Sequence, residues 1–236
     1  MSHLLMSKII SRRQFLLISA LFSFCLPRAK DLSAALEKDI QSEEQFPLTI
    51  EILKEAYKAE IVAKKHYGGY CQKALLENYH NIAYLFLALE TSEKIHAENY
   101  KRLIHSLGSI LKKPDISLAI SDTKTNLNNA ARNELIKINE VYPDFLRKLA
   151  AESHDQAVVY CMYSWKSHQQ HEEIINDIKK YSGIFFRPLA KIIERMRPNY
   201  YVCDVCGSTV DEMPETPCGI CNHPLFHYKH LERPTV

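Results

Sequence analysis

Only six of the 236 residues are glycine, and runs of β-branched residues are few. A chain with so little of either favours helix over sheet. Neither sign of charge dominates: Lys+Arg number 30 and Asp+Glu 28, a formal net charge of +2. Without a basic face, nucleic acid is not expected as an obligate partner. The apolar run after Phe15 is roughly a dozen residues, against the ~20 a helix needs to span a bilayer, so no obligate membrane insertion is expected. What is present is 46% hydrophobic and 25% charged residues, ordinary for a soluble globular protein, in a length that allows one medium domain and one small one.

Residues 1–30 read as a targeting segment. Ser11-Arg12-Arg13-Gln14-Phe15-Leu16 leads into the short apolar run that ends at Leu26. A basic stretch followed by a short hydrophobic one describes a signal peptide, and the paired arginines point to the twin-arginine route and a periplasmic destination. Pro27-Arg28-Ala29 is a poor cleavage match, with Ala29 the candidate position. The plainer reading is a basic N-terminal helix. Cys25 as a lipid anchor is disfavoured by the bulky Phe24 before it. Residues 30–46 are polar, a short helix or a linker.

The informative stretch is Leu53 to Leu103. It reads as two amphipathic helices, 48–75 and 80–107, with a polar break near Glu77 to Asn81. Each places a carboxylate on its apolar side, Glu60 and Glu93. Glu93 begins a Glu-x-x-His pair with His96, and residues three apart share a helix face, so one metal ion could be gripped by both. An inward Glu on one helix with Glu-x-x-His on the next is the half-site of a carboxylate-bridged di-iron bundle.

The helix pair recurs after about 75 residues. Glu77 falls on Glu152, His96 on His171 and Glu98 on Glu173, while Glu60 meets Glu134 one residue out of step, a slip assigned to a loop deletion. A third helix, 122–151, carries Pro143, which predicts a kink or local break. A fourth runs over 154–180. Two facing hairpins make a four-helix bundle over 46–182 whose inward faces carry Glu60, Glu93, His96, Glu134, His168 and His171. A lone Glu on an apolar helix side is more often a rim residue. The matched places in the repeat favour metal ligation instead, because a buried carboxylate needs a partner. Cys71 and Cys161 read as small buried hydrophobes, and the remaining histidines as surface or rim residues.

After a connector at 183–198, residues 199–232 differ in kind. Cys203-x-x-Cys206 and Cys218-x-x-Cys221 are separated by eleven residues, with turn-formers Gly207, Asn222 and Pro224 beside them. Four thiolates at this spacing close a tetrahedral metal site, and so short a segment needs its metal to fold. Spacing alone does not separate iron from a structural zinc ribbon.

Taken together, the KAE of the first helix, ETSEKIHAENY of the second, VYPDF of the third and YVCDVCG with PCGICNHP at the C-terminus resemble the rubrerythrin family over about residues 48–232. The resemblance implies a mainly α fold: a ferritin-like four-helix bundle followed by a small rubredoxin-like metal knuckle. It implies iron as cofactor, a di-iron site in the bundle and one iron on Cys203, Cys206, Cys218 and Cys221. It implies reduction of hydrogen peroxide to water, with electrons from an unidentified donor passing through the thiolate-bound iron. It implies a homodimer in which one chain's knuckle lies beside the other's bundle site. Matched ligands are Glu60, Glu93, His96, Glu134 and His171, and Tyr67 and Tyr142 match tyrosines that flank the site. Export of an already folded protein by the twin-arginine route would suit metal loading in the cytoplasm.

Two positions depart from the family pattern. Lys137 stands where a second glutamate of the third helix is expected, and His168 replaces the glutamate of the fourth helix. The site would then hold three carboxylates and three imidazoles if His168 ligates, with a raised reduction potential, a set that suits zinc or a lone ferrous ion better than an oxo-bridged ferric pair. An electron carrier or redox sensor with a degenerate bundle site is therefore the alternative to a peroxidase. Iron oxidation and handling is a third reading the same bundle chemistry permits.

Overall fold

The computed structural model describes residues 46–180, 194–195 and 198–235 of the chain. The targeting segment expected at residues 1–30 and most of the connector expected at 183–198 lie outside the described residues. Among the described residues, five α-helices come first: α1 (Pro47–Leu76), α2 (His80–Ser106), α3 (Thr123–Ile136), α4 (Tyr142–Leu149) and α5 (Asp155–Lys180). Between α3 and α4 the backbone stays helical but widens to a π-helical turn over Lys137–Val141. Three short strands follow, β1 (Tyr201–Cys203), β2 (Thr209–Val210) and β3 (Tyr228–His230), antiparallel in the order β2-β1-β3.

Helix α1 forms because Leu53, Ala56, Glu60, Tyr67, Cys71 and Ala74 fall at spacings of three, four and seven residues and are all buried. Pro47 sits in its first turn, where the missing N–H costs nothing. Its C-terminus closes on Asn78 at φ 62, with Asn78 N–H donating to Leu75 O and Tyr79 N–H to Ala74 O. Helix α2 ends the same way on Gly108 at φ 77, with Ser109 N–H donating to Ile104 O. Both are left-handed caps that satisfy carbonyls the helix leaves open.

The repeat is visible as reciprocal contacts. Glu152, just after the second hairpin's first limb, accepts from Leu48 N–H at 3.0 Å and Thr49 N–H at 2.8 Å, at the start of α1. Glu77, its counterpart, accepts from Thr123 N–H at 2.9 Å, at the start of α3. Each half caps the other with a carboxylate, where the helix dipole favours negative charge.

The slip between the halves is corrected by the structure. Glu60 to Tyr67 spans seven residues and Glu134 to Tyr142 eight, and the extra residue is taken up by the π turn at Lys137–Val141, not by a loop deletion. The local break expected at Pro143 lies here: Tyr142 N–H donates to Lys137 O across the wide turn, and Pro143 has no N–H to continue it. Ile138 O, left open, accepts from Trp165 Nε1–H at 2.9 Å.

The knuckle is not a separate body. Tyr200 and Val202 belong to the same buried cluster as Tyr67, Phe86 and Leu89 of the bundle. The ring of Tyr84 in α2 meets Tyr200 edge-on at 5.0 Å, its hydroxyl donates to Leu231 O, and the Arg233 guanidinium lies over its face at 4.8 Å. Glu194 accepts from Asn81 N–H at 2.9 Å at the start of α2.

The shared cap can be weighed. Replacing Glu152 by Gln leaves one acceptor where two N–H groups need one each, a loss of about 1 kcal/mol. Thermal unfolding of Glu152→Gln is expected about 2–4 °C below the wild type. An unchanged midpoint would show that water serves these N–H groups equally well.

Candidate metal centre

The four helical limbs bring every expected bundle residue to one place. Glu60 from α1, Glu93 and His96 from α2, Glu134 from α3, and His168 and His171 from α5 are all at 0% exposure. They form two overlapping clusters, Glu60–Glu93–His96–His168 and Glu93–Glu134–His168–His171, each with ligand atoms within 4.8 Å of one another. The clusters are images of each other under the repeat, with His168 in the place that Glu93 holds in the first half.

Tyr67 and Tyr142 sit across the halves. Tyr67 OH donates to Glu134 Oε1, and Tyr142 OH donates to Glu60 Oε1. Tyr100, which the sequence did not single out, extends this line: its hydroxyl bonds Tyr142 OH at 3.2 Å and Ser164 Oγ at 2.7 Å. Burial and the facing carboxylates hold the Tyr67 and Tyr142 phenols well above their ordinary pKa, so both remain donors.

Protonation in the cluster follows from its contacts. Burial would raise Glu60 and Glu134, yet both lie well below the usual carboxylate range, because Lys137 and His168 face Glu60 and His168 faces Glu134. Glu93 goes the other way, to about 8, through burial and the neighbouring Glu60 charge. Burial would lower His168, as does Lys137, but Glu93, Glu134 and Glu60 outweigh them and hold it at about 10. His96 is pushed down to about 3 by burial and stays neutral. Its tautomer is fixed: Cys206 O, 3.0 Å away, can only accept, so His96 Nε2 carries the proton. Nδ1 then presents its lone pair to Glu93 Oε2 at 2.9 Å, and that oxygen must donate. The raised Glu93 and the imidazole therefore agree.

The knuckle sits against this centre through its backbone. Asn99 Nδ2 donates to Val205 O at 2.9 Å, His96 Nε2 and Ser167 Oγ to Cys206 O at 3.0 and 3.1 Å, and Ser92 Oγ to Gly207 O at 2.6 Å. Gln170 Oε1 accepts from Ser208 Oγ and Thr209 N–H at 3.0 and 3.2 Å. A cysteine of the four-thiolate site is thus joined through its own carbonyl to a bundle imidazole and on to Glu93. The second chain expected beside the site is not needed for this contact, since the chain's own knuckle makes it. Ser92, Asn99, Ser167 and Gln170 were missed in the sequence. The signal was there for two of them: Ser92, His96 and Asn99 lie four and three residues apart on one face of α2.

Within the knuckle the two cysteine pairs are built alike. Gly207 N–H donates to Cys203 O at 2.9 Å and Asn222 N–H to Cys218 O at 2.8 Å, with Gly207 and Asn222 both left-handed at φ 80 and 58. Cys203 Sγ lies 3.7 Å from Cys221 Sγ and Cys206 Sγ 3.5 Å from Cys218 Sγ. Four sulfurs about 2.3 Å from a shared centre stand ~3.8 Å apart, so the cage fits one metal ion. Cys71 and Cys161 are buried, and burial pushes their thiols up to about 11 and about 12. None of the other described histidines is buried.

A helical bundle with carboxylates and imidazoles at its centre, capped by a four-thiolate knuckle, defines a metalloprotein with two kinds of site. The comparisons with known proteins agree. A family model described as Rubrerythrin matches residues 51–179. Rubrerythrin-2 of Clostridium acetobutylicum is 28% identical over 182 residues, 74% of this chain and 91% of that protein. Nigerythrin of Nitratidesulfovibrio vulgaris is 26% identical over 180 residues, 75% of this chain and 83% of the relative. Among solved structures, nigerythrin in a mixed-valence state superposes with a TM-score of 0.66 at 24% identity, covering 78% of this chain and 86% of that one. A bacterioferritin from Mycobacterium tuberculosis superposes at 0.57 and 15% identity, over 62% of this chain and 94% of that one, a likeness of fold alone. The chain belongs to the rubrerythrin family. Its cofactor is iron: the family binds a di-iron pair in the bundle and one iron on four thiolates, and both ligand clusters are present here.

Gly207 tests the docking. A Cβ there would lie 2.3 Å from His96 Nε2 and 2.7 Å from Ser92 Oγ, and its φ of 80 is costly for any other residue. Gly207→Ala should lift the knuckle from α2 while leaving its thiolate-bound metal in place. Amide hydrogen exchange in α2 around Ser92–Asn99 should speed up at least tenfold. Unchanged exchange would show that the close approach does not hold the two parts together.

Proposed function

We propose that this chain is an exported, periplasmic non-haem iron peroxidase that reduces hydrogen peroxide to water, working as a homodimer as its family resemblance implies. The observation that carries the reading is the continuous contact from Cys206 through its carbonyl to His96 and Glu93, which ties an electron-accepting thiolate site to a buried carboxylate–imidazole centre. Bound iron supplies the electrons; each peroxide takes two electrons and two protons and leaves as two waters. The chain's own residues do the rest. His96 holds its proton on Nε2 against the knuckle, and Ser92, Asn99 and Ser167 fix the distance between the two parts. Tyr142, backed by Tyr100 and Ser164, keeps a proton at Glu60, and Tyr67 keeps one at Glu134. A groove of about 520 Å³ between α1 and α3, lined by Val62, His66, Asn133, Ile136 and Lys137, supports a route for a solute as small as peroxide.

The reading is tested on iron-loaded protein, reduced and kept anaerobic, by adding peroxide in small steps. Oxidation of the thiolate-bound iron, seen as growth of its visible bands, is expected at about one peroxide per two electrons withdrawn. No oxidation above the rate of a control lacking the bundle iron would end the peroxidase reading. The second reading, an electron carrier or redox sensor, is favoured by Lys137 and His168 standing inside the cluster. It requires that Lys137→Glu with His168→Glu creates or greatly increases peroxide turnover in the same assay.

Export rests on Arg12 and Arg13. With both replaced by Lys, the protein is expected to stay in the cytoplasm at its full precursor length, read by cell fractionation. Unchanged export would remove the twin-arginine assignment.

A further inference from the structure

The two overlapping clusters are images of one another in sequence, but not in contents. In the first, the place between the carboxylates is taken. Lys137 reaches in from the π turn, with Nζ 2.6 Å from Glu60 Oε2 and 3.3 Å from Glu93 Oε1, and its side chain is 9% exposed. His96 Nδ1 in this half already has a partner in Glu93 Oε2. The second cluster has an opening. His171 Nδ1 is fully buried with no hydrogen-bond partner, 3.8 Å from Glu93 Oε1 and 3.7 Å from Glu134 Oε2. The lone pair of the neutral ring belongs on that nitrogen. Thr209 Oγ1 donates its hydrogen to Gly207 O at 3.1 Å, so at 3.3 Å it accepts from His171, and His171 carries its proton on Nε2. A partner holding one imidazole nitrogen while the other stands bare is how proteins prepare a metal-ligating histidine. His168 Nδ1 faces the same spot, 2.7 Å from Glu134 Oε2 and 3.6 Å from Glu93 Oε1, while its Nε2 is held by Glu60 Oε1 at 3.1 Å.

We propose that the bundle of this chain holds one divalent metal ion instead of two, on Glu93, Glu134, His168 and His171, with the Lys137 ammonium standing in the second ion's place against Glu60.

Charge supports one ion. Glu60, Glu93 and Glu134 are fully buried, and buried charges need matching partners. With the ion bound in place of the protons on Glu93 and His168 Nδ1, one divalent ion and one ammonium match three carboxylates, whereas two divalent ions with the ammonium would leave two positive charges unmatched. Geometry supports it as well. Metal pairs that act together stand about 3.5–4 Å apart, a spacing a carboxylate can bridge with its two oxygens on one side. His168, in the bridging place, sends its two nitrogens in opposite directions. Glu60 then changes role. It is a positioning residue that holds Lys137, Tyr142 and His168 Nε2, and His96 serves the knuckle contact.

The inference deepens the iron-protein reading and rests on it only for the identity of the metal. The test is a count. The full chain is reconstituted anaerobically with excess ferrous iron and desalted. Total iron per chain is measured, and the knuckle's share is taken from its thiolate-to-iron absorption. One bundle iron is expected in the wild type and two in Lys137→Glu. The paired change Glu60→Gln with Lys137→Met removes the ion pair as a unit at similar volume, and it should still bind one. His171→Ala should bind none in the bundle while keeping the knuckle iron. Two bundle irons in the wild type, none in it, or loss of the iron in the Glu60→Gln/Lys137→Met chain would each overturn the assignment. Peroxide turnover is read separately. One bundle iron without turnover ends the peroxidase reading and leaves this one standing; two with turnover does the reverse.

Discussion

Three carboxylates at 0% exposure in a helical core are the constraint around which this molecule is arranged. Left alone, each would shed its charge or break the fold. Every one is instead met by a hydrogen-bond donor or cation brought from another helix. Glu60 receives Tyr142, Lys137 and His168; Glu134 receives Tyr67 and His168; Glu93 lies against His96 and Lys137. Because the partners come from different limbs, the site and the bundle are not separable. A change at one carboxylate loosens helix contacts, and a shift of a helix exposes a charge.

The duplicated hairpin supplies these partners in pairs, and the pairing explains which departures from symmetry have consequences. Glu77 and Glu152 exchange caps between the halves, and Tyr67 and Tyr142 exchange hydroxyls. Where the copies agree, the structure is reciprocal. Where they differ, the difference is local: one extra residue in the π turn, Lys137 on that turn, and His168 opposite Glu93. A widened turn rotates the side chains that follow it relative to those before it. Lys137 opens that turn three residues after Glu134, on the same helix face, and enters the core in the second half, while Ala63, three residues after Glu60, carries no charge. Such insertions are common at functional sites because they re-aim a side chain at modest cost in backbone hydrogen bonds.

Much of this was legible in the sequence. Glu93-x-x-His96 and the two Cys-x-x-Cys pairs announce themselves by spacing, and their meaning survives folding because three-residue helical neighbours and tight knuckle turns are set locally. Glu60, Glu134 and His171 became readable only through the repeat. The π turn was hidden, since seven residues against eight look the same whether the extra one sits in a loop or a helix. Lys137 was visible as a departure, but which carboxylates of the other helices it meets was not. The docking face was hidden for another reason. Ser92 and Gly207 are 115 residues apart, and neither a serine nor a glycine shows in its own type which carbonyl or imidazole it will meet.

The knuckle's position bears on how chains associate. Three successive carbonyls, of Val205, Cys206 and Gly207, are taken by side chains of the same chain's bundle. A tethered knuckle faces its own bundle at a high effective concentration, so a partner's knuckle must compete with it for the same donors. Polar contacts of this kind are individually weak, near 1 kcal/mol net each. The shared apolar cluster of Tyr84, Tyr200 and Val202 strengthens the intrachain contact. In a homodimer of this chain, the subunits would therefore either exchange whole knuckles, with Tyr200 and Val202 moving as part of the exchanged unit, or meet through a different surface. In both arrangements the link between the thiolate cage and His96 is the same set of bonds. It is this contact, and not the identity of the chain that supplies it, that joins the two metal sites.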